Sequence, residues 1–202
     1  ISRYTVDEKW IIPHFEKMLY DNIQYIDLLA KFFQKTKNEY FKKKLIQTIR
    51  FLNNEFKNEE KLYGSAYDAD SDGVEGKYYV WSYDELKNLL AEDLSLFEKK
   101  YEISKEGNFE GKNILVETKQ SLTEKEEEKI KEINKILLDK RKKRVKPFFD
   151  NKSQTDLNAY MLETLLKTSI ILNDNKLEEE TLNTIKIFNE KLSKKIYHCY
   201  QS

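Results

Sequence analysis

Helix breakers are scarce in this chain, and their positions decide most of what it can become. Its 202 residues include two prolines and five glycines. The glycines fall in two groups, Gly64, Gly73 and Gly76, then Gly107 and Gly111. Glycine and proline are the residues that most disfavour a helix interior, so the long stretches without them are open to helix. From Phe15 the apolar residues Met18, Leu19, Ile23, Ile26, Leu29 and Phe33 recur at helical spacing. Pro13 suits the start of that helix, where its missing amide hydrogen costs nothing. Phe41, Leu45, Ile49, Leu52 and Phe56 mark a second helix. The two are expected to form an antiparallel hairpin that turns near Lys37 and Asn38.

The middle of the chain differs. Leu62 to Tyr67 and Lys77 to Trp81 are short and aromatic, with an acidic turn between them, and read as a small β-hairpin. Ser82-Tyr-Asp-Glu85 fits a capping box, in which the serine caps a new helix and the glutamate reaches back to its amide. Thr123-Glu-Lys-Glu126 repeats the device before a highly charged helix expected to end near Arg144. Pro147 and the polar stretch to Thr155 read as a loop. Helices over roughly Asp156 to Leu172 and Leu177 to Ile196 close the chain. About seven helices in antiparallel pairs, without heptads, point to a helical array or toroid rather than a coiled coil. No fixed-period repeat is visible, which disfavours a tetratricopeptide-type solenoid.

Charge and cysteine content exclude several function classes. The 36 basic and 36 acidic residues cancel, so no global field draws the chain to nucleic acid or to an anionic membrane. The single cysteine, Cys199, allows no internal disulfide, CxxC redox pair or Cys-rich zinc site. No apolar run approaches the roughly 20 residues needed to cross a bilayer. The first residues, ISRYTVDEKW, lack the basic and apolar regions of a signal peptide. The expected location is cytoplasmic, with no cofactor, no nucleic acid and no membrane as partner.

Three stretches carry candidate chemistry. In Asp68 to Trp81, DADSDGVEGKYYVW, the residues Asp68, Asp70, Asp72 and Gly73 match the first half of an EF-hand loop. The twelfth position is Tyr79 where a bidentate glutamate should stand, and Glu75 occupies a normally apolar place. A looser calcium site, a solvated turn shaped by Asp and Gly, and a carboxylate pair formed by Asp68 and Asp70 on one face of extended backbone all remain open. In Trp10 to Asp21, WIIPHFEKMLYD, His14 and Glu16 fall at the expected helix start. The H-x-E spacing of zinc deaminases is present, but their P-C-x-x-C is not, and a packing histidine is the alternative. Lys140 to Lys146, KRKKRVK, lies at an expected helix C-terminus, where a solvated cationic face complements the dipole. A phosphate or nucleic-acid patch is the other reading.

Four stretches together resemble one family. RYTVDEKWIIPHFEKMLYDN, YDADSDGVEGKYYVWSYDEL, EGNFEGKNIL and the segment PFFDNKSQTDLNAYML are similar to the spermatogenesis-associated thioredoxin-like proteins and their bacterial YyaL relatives. They occur in the family's order from Arg3 to Leu162. The resemblance implies a mainly α fold: part of an (α/α)6 toroid, six-hairpin glycosidase-like, with a small inserted β-hairpin. Such toroids are similar to the N-acylglucosamine 2-epimerases. Residues 1–202 would then be an internal piece of one toroid domain, with the family's thioredoxin-like domain absent. The family pattern T-x-W-N-G is met by Thr155-Asp-Leu-Asn-Ala159, so Leu157 and Ala159 replace its tryptophan and glycine while Asn158 is kept.

The resemblance attaches no single reaction. Fold analogy implies a sugar-processing domain, epimerase- or glycosidase-like, with a small carbohydrate as ligand. On that reading His14 is the acid or base with Glu16 as its partner, and Asp68 and Asp70 are the base or hydroxyl acceptors. Trp10, Tyr20 and Trp81 are stacking residues, Asn158 is a hydrogen-bonding residue, and no metal is called for. The alternative is a non-catalytic protein-interaction module on the same fold, and incomplete toroid edges would favour self-association.

Overall fold

The computed structural model describes residues 1–193. The expected helix end at Ile196 and the single cysteine, Cys199, lie outside the described residues. In chain order the elements are β1 (Lys17–Met18), α1 (Leu19–Thr36), α2 (Glu39–Glu55), β2 (Ala66–Tyr67), β3 (Asp70–Ser71) and β4 (Val74–Glu75). There follow α3 (Tyr83–Leu90), α4 (Leu94–Lys100), β5 (Tyr101–Glu102), β6 (Val116–Glu117), α5 (Glu124–Arg141), β7 (Phe149–Asp150), α6 (Thr155–Leu172) and α7 (Asn175–Phe188). The protein is mainly helical, with short strands. No helix among the described residues is long and apolar enough to cross a membrane.

Two compact units make up the chain. The first takes Ile1–Arg3, Glu16–Asp68 and the described residues from Phe149. The second takes Tyr4–Phe15 and Ala69–Phe148.

In the first unit α1 buries Leu19, Ile23, Ile26, Leu29 and Phe33, the positions that the 3.6-residue period selects. α2 answers with Leu45, Ile49 and Leu52, and α6 adds Met161 and Leu165. Each such side chain contributes roughly 1.5–3 kcal/mol on burial. The turn between α1 and α2 falls at Lys37, which is left-handed with φ +54°, and Asn38, whose side chain caps α2 by accepting from the Tyr40 amide. Both lie where the sequence places them. Across one end runs a three-stranded antiparallel sheet in the order β1-β2-β7.

That sheet corrects two expectations. The first helix starts at Leu19, not near Phe15, because Lys17 and Met18 are drawn into extended pairing with Tyr67 and Ala66. Pro13 therefore opens no helix; it forms a bridge with Thr5. Phe15 is instead buried in the second unit beside Ala69 and Val80. The expected hairpin between Leu62–Tyr67 and Lys77–Trp81 does not form either. Ala66 and Tyr67 pair with Asp150 and Phe149 on their other side. The hairpin lies within the acidic stretch itself, with Asp70 opposite Glu75 and Ser71 opposite Val74. Asp72 and Gly73 turn it at φ +57° and +72°, the left-handed pair that a two-residue type I′ turn requires.

The second unit packs α3, α4 and α5 around Trp81, Leu86, Leu90, Phe97, Tyr101, Ile130 and Ile133. Thr123 and Glu126 form the full capping box of α5. Ser82 caps α3 by accepting from the Glu85 amide, but the Glu85 carboxylate turns to Arg144. α5 ends at Arg141 rather than Arg144, which frees Lys142 to Val145 to leave the helix axis.

Candidate functional site

The second unit holds the candidate site, and Tyr4–Phe15 supplies the histidine that contacts one of its carboxylates. Val6 donates to the Ile12 carbonyl and His14 to that of Tyr4, so the segment folds back on itself. Asp7 locks the tip: its Oδ1 accepts from the Thr5 hydroxyl and the Ile11 and Ile12 amides, its Oδ2 from the Lys9 amide. Those amide donors, Ile12 foremost, hold its carboxyl below the usual range. The locked tip presents Trp10, 83% exposed with φ +59°. At the base His14 stacks on Tyr4, with centroids 4.8 Å apart and planes at 13°. Its Nδ1 lies 2.9 Å from Glu75 Oε1.

Glu75 is placed by the Asp72-Gly73 turn, which fixes the β3–β4 register. Directly opposite residues of an antiparallel pair share a face with their Cβ atoms about 4.5–5.5 Å apart. The ladder thus sets Asp70 beside Glu75, and His14 is bonded to the second of these carboxylates. Lys77 Nζ pairs with Asp72 Oδ2 at 2.7 Å, a contact that lowers the Asp72 pKa. The Ser71 hydroxyl donates to the Val145 carbonyl.

Arg144 organises one side of the site. Its guanidinium stacks 4.0 Å over the Trp81 ring and donates to the Tyr78 and Val80 carbonyls at 3.0 and 2.7 Å. Its other nitrogen grips both Glu85 oxygens at 3.0 and 2.9 Å. Beside Arg144 opens a pocket of about 550 Å³ lined by residues from 71–85, 109–112 and 143–145. Val74, Val80 and Phe109 give it an apolar side, while Glu75, Glu85 and Lys77 give it acceptors and donors. Among the described residues no group of three or more His, Cys, Asp or Glu side chains is arranged to hold a metal ion.

The remaining sequence candidates are placed as follows. Glu16, in the first unit, pairs with Arg3 at 3.3 Å. The Arg3 guanidinium lies 5.8 Å from the centroid of Tyr20, which is half-buried. Asp68 is exposed just before β3. Trp81 is 2% exposed and belongs to the helical core of the second unit. Asn158 is fully buried in the first unit, where its oxygen accepts from the Tyr63 amide and its amide donates to the Tyr63 and Gln154 carbonyls. Three participants escaped the sequence reading: Glu75, Phe109 and Arg144. The Asp-Gly dipeptide was a usable signal for Glu75, since a two-residue turn there pairs residue 70 with residue 75. Nothing in KRKKRVK singles out Arg144 from its neighbours.

No family model matches this chain. Spermatogenesis-associated protein 20 of Homo sapiens is 28% identical to it over 219 residues, covering 91% of this chain and 28% of that protein. The protein of the same name from Rattus norvegicus is 30% identical over the same shares. That from Mus musculus is 30% identical over 87% of this chain and 27% of its own length. The chain thus spans little more than a quarter of these curated relatives. They support the family resemblance carried by the four sequence stretches, and their shared name states no activity.

Proposed function

We propose that this chain contributes a small-polyol site with an acid–base histidine to a sugar-processing protein of the α/α toroid type. The observation that carries the reading is the 2.9 Å contact of His14 Nδ1 with Glu75 Oε1 beside a pocket that Glu75 helps to line. A carboxylate on one ring nitrogen fixes the orientation and tautomer of an imidazole, and proton exchange then falls to Nε2. Asp70, across the ladder from Glu75, adds a second carboxylate to accept a hydroxyl or a proton. Val74, Val80 and Phe109 suit the C–H face of a sugar, and the charged rim suits its hydroxyls. The antiparallel helical pairs α1/α2 and α6/α7 are the kind of unit from which a toroid is assembled. The rest of the ring would come from the remaining length seen in the relatives.

One observation favours a non-catalytic interaction module instead. Trp10 stands almost bare on a loop braced by Asp7, and a rigid exposed tryptophan is a common anchor at protein interfaces. Ligand-observed NMR on this chain with glucose and N-acetylglucosamine separates the two readings. Binding in the millimolar range that is lost in Glu75→Gln and His14→Gln, with folding intact, supports the polyol site. No binding at roughly 10 mM, weaker than about 3 kcal/mol of affinity, rejects it and leaves the module.

A further inference from the structure

We infer that Lys57, in the first unit, is a nucleophilic lysine that takes a small aldehyde as a reversible imine. Its surroundings share no residue with the pocket of the second unit, and the inference stands whether or not that pocket binds a sugar. Lys57 follows α2 directly, and the backbone on both sides of it is fixed. The Asn58 amide donates to the Leu62 carbonyl and the Gly64 amide to that of Phe56, which closes a bridge between Lys57 and Tyr63. The Lys57 Nζ lies 5.3 Å from the centroid of the Tyr63 ring. That ring is itself pinned. Tyr63 is wholly buried, its hydroxyl donates to Asn53 Oδ1 at 2.6 Å, and its backbone amide and carbonyl are both held by Asn158.

Leu165 of α6 and Leu177, Glu180, Thr181 and Thr184 of α7 complete the cleft around Lys57. Both threonine hydroxyls donate to carbonyls of their own helix, and Glu180 pairs with Lys176 at 3.8 Å. Lys57 forms no ion pair among the described residues. The π face of Tyr63 attracts an ammonium, but burial with no carboxylate in contact works against the charge. Burial lowers the Lys57 pKa, against a smaller opposing pull from Glu180 and with help from Lys61. A lysine held in this way presents more neutral amine than a solvated one, and the neutral amine is the nucleophile of imine chemistry. Lys57 is half-buried rather than sealed. A second cavity, of about 420 Å³, shares Asn53, Leu177 and Glu180 with this cleft and has room for a small carbonyl compound. The amine lone pair attacks the carbonyl carbon and forms the C–N bond, a proton passes from nitrogen to oxygen, and the C–O bond then breaks to release water. The step consumes no oxidant or reductant.

Propanal tests this on the 202-residue chain at neutral pH. Cyanoborohydride, present throughout, reduces each imine to a stable secondary amine that peptide mass mapping locates. Lys57 is expected to be modified ahead of exposed lysines such as Lys35, Lys43 and Lys142. In denaturing urea that lead should vanish, because the cleft is gone. Lys57→Arg, checked for native circular dichroism, should remove the fast phase of total incorporation and leave the slower lysines as they were. When propanal is dialysed out before the reductant is added, Lys57 should carry no label. Modification of Lys57 no sooner than the exposed lysines overturns the inference, as does a fast phase that persists in Lys57→Arg. A lead that survives urea overturns it too, since the local sequence and not the fold is then its source. A label that survives dialysis rules out a reversible imine.

Discussion

Arg144 ties three carbonyls, one carboxylate and one indole ring to a single side chain. A planar fork with five donors can do this and an ammonium cannot. Arg144→Ala should cost roughly 1–3 kcal/mol, the penalty for polar groups left partly unpaired. Arg144→Lys should lose at least half as much in urea titration, and a neutral result for lysine would show that charge alone matters there. Asn158 makes the same point in the first unit. Its three bonds with Tyr63 and Gln154 fix one chain segment to the start of α6. Asn158→Ala should cost about 1–3 kcal/mol by stranding a buried amide and a buried carbonyl, and a mutant as stable as the parent would contradict that bracing role. Neither role was legible in the sequence. Arginine in a run of basic residues and asparagine at a helix start look the same whether they face water or backbone. Only the fold decides which carbonyls they meet.

Elements with a long period were read well. The α1–α2 hairpin, its turn at Lys37 and Asn38 and the cap of α5 follow from patterns spread over many residues. Strands of two residues carry almost no period, so the partners of Ala66 and Tyr67 could not be told from their own sequence; Lys17 and Phe149, which flank Tyr67 on its two sides, are 50 and 82 positions away from it. Leu45 lies wholly within the hairpin core, and Leu45→Ala should cost roughly 2–5 kcal/mol; a loss below about half a kcal/mol would mean that this face is not core. At the start of α5, Glu126 joins Lys99 at 2.8 Å as well as the Thr123 amide. Lys99 first, then those Thr123 contacts, depress its carboxyl to about 2. A depressed carboxylate stabilises the fold above its ordinary pKa of 4.5 and loses that contribution as pH falls toward 2. Stability of the parent should therefore drop more steeply than that of Glu126→Gln between those limits, as read by denaturant midpoints at each pH. Parallel acid limbs would remove Glu126 from the account.

At the scale of the whole molecule, the first unit leaves apolar side chains on its outer helical faces. Leu28 and Phe32 of α1, Tyr40 of α2 and Ile170 of α6 are all exposed, with Phe32 stacked on Phe41 at 5.2 Å. Faces of this kind drive association when nothing covers them. The chain should self-associate at high concentration, and Leu28→Glu/Phe32→Glu should shift light scattering toward monomer; an unchanged profile would place the contact elsewhere. The sequence raised self-association only through the toroid resemblance, and the assignment of residues to two compact units was hidden, because no composition change marks Asp68 or Phe149. Their pairing has a consequence for how such proteins change over time. Tyr67 and Phe149 are registered partners on adjacent strands, about 4.8 Å apart across the ladder. The chain from 69 to 148 thus begins and ends beside neighbouring strands of one sheet. Residues can be added or removed between those ends without stretching α1, α2, α6 or α7, so the pocket-bearing segment is free to diversify in length while those four helices are kept.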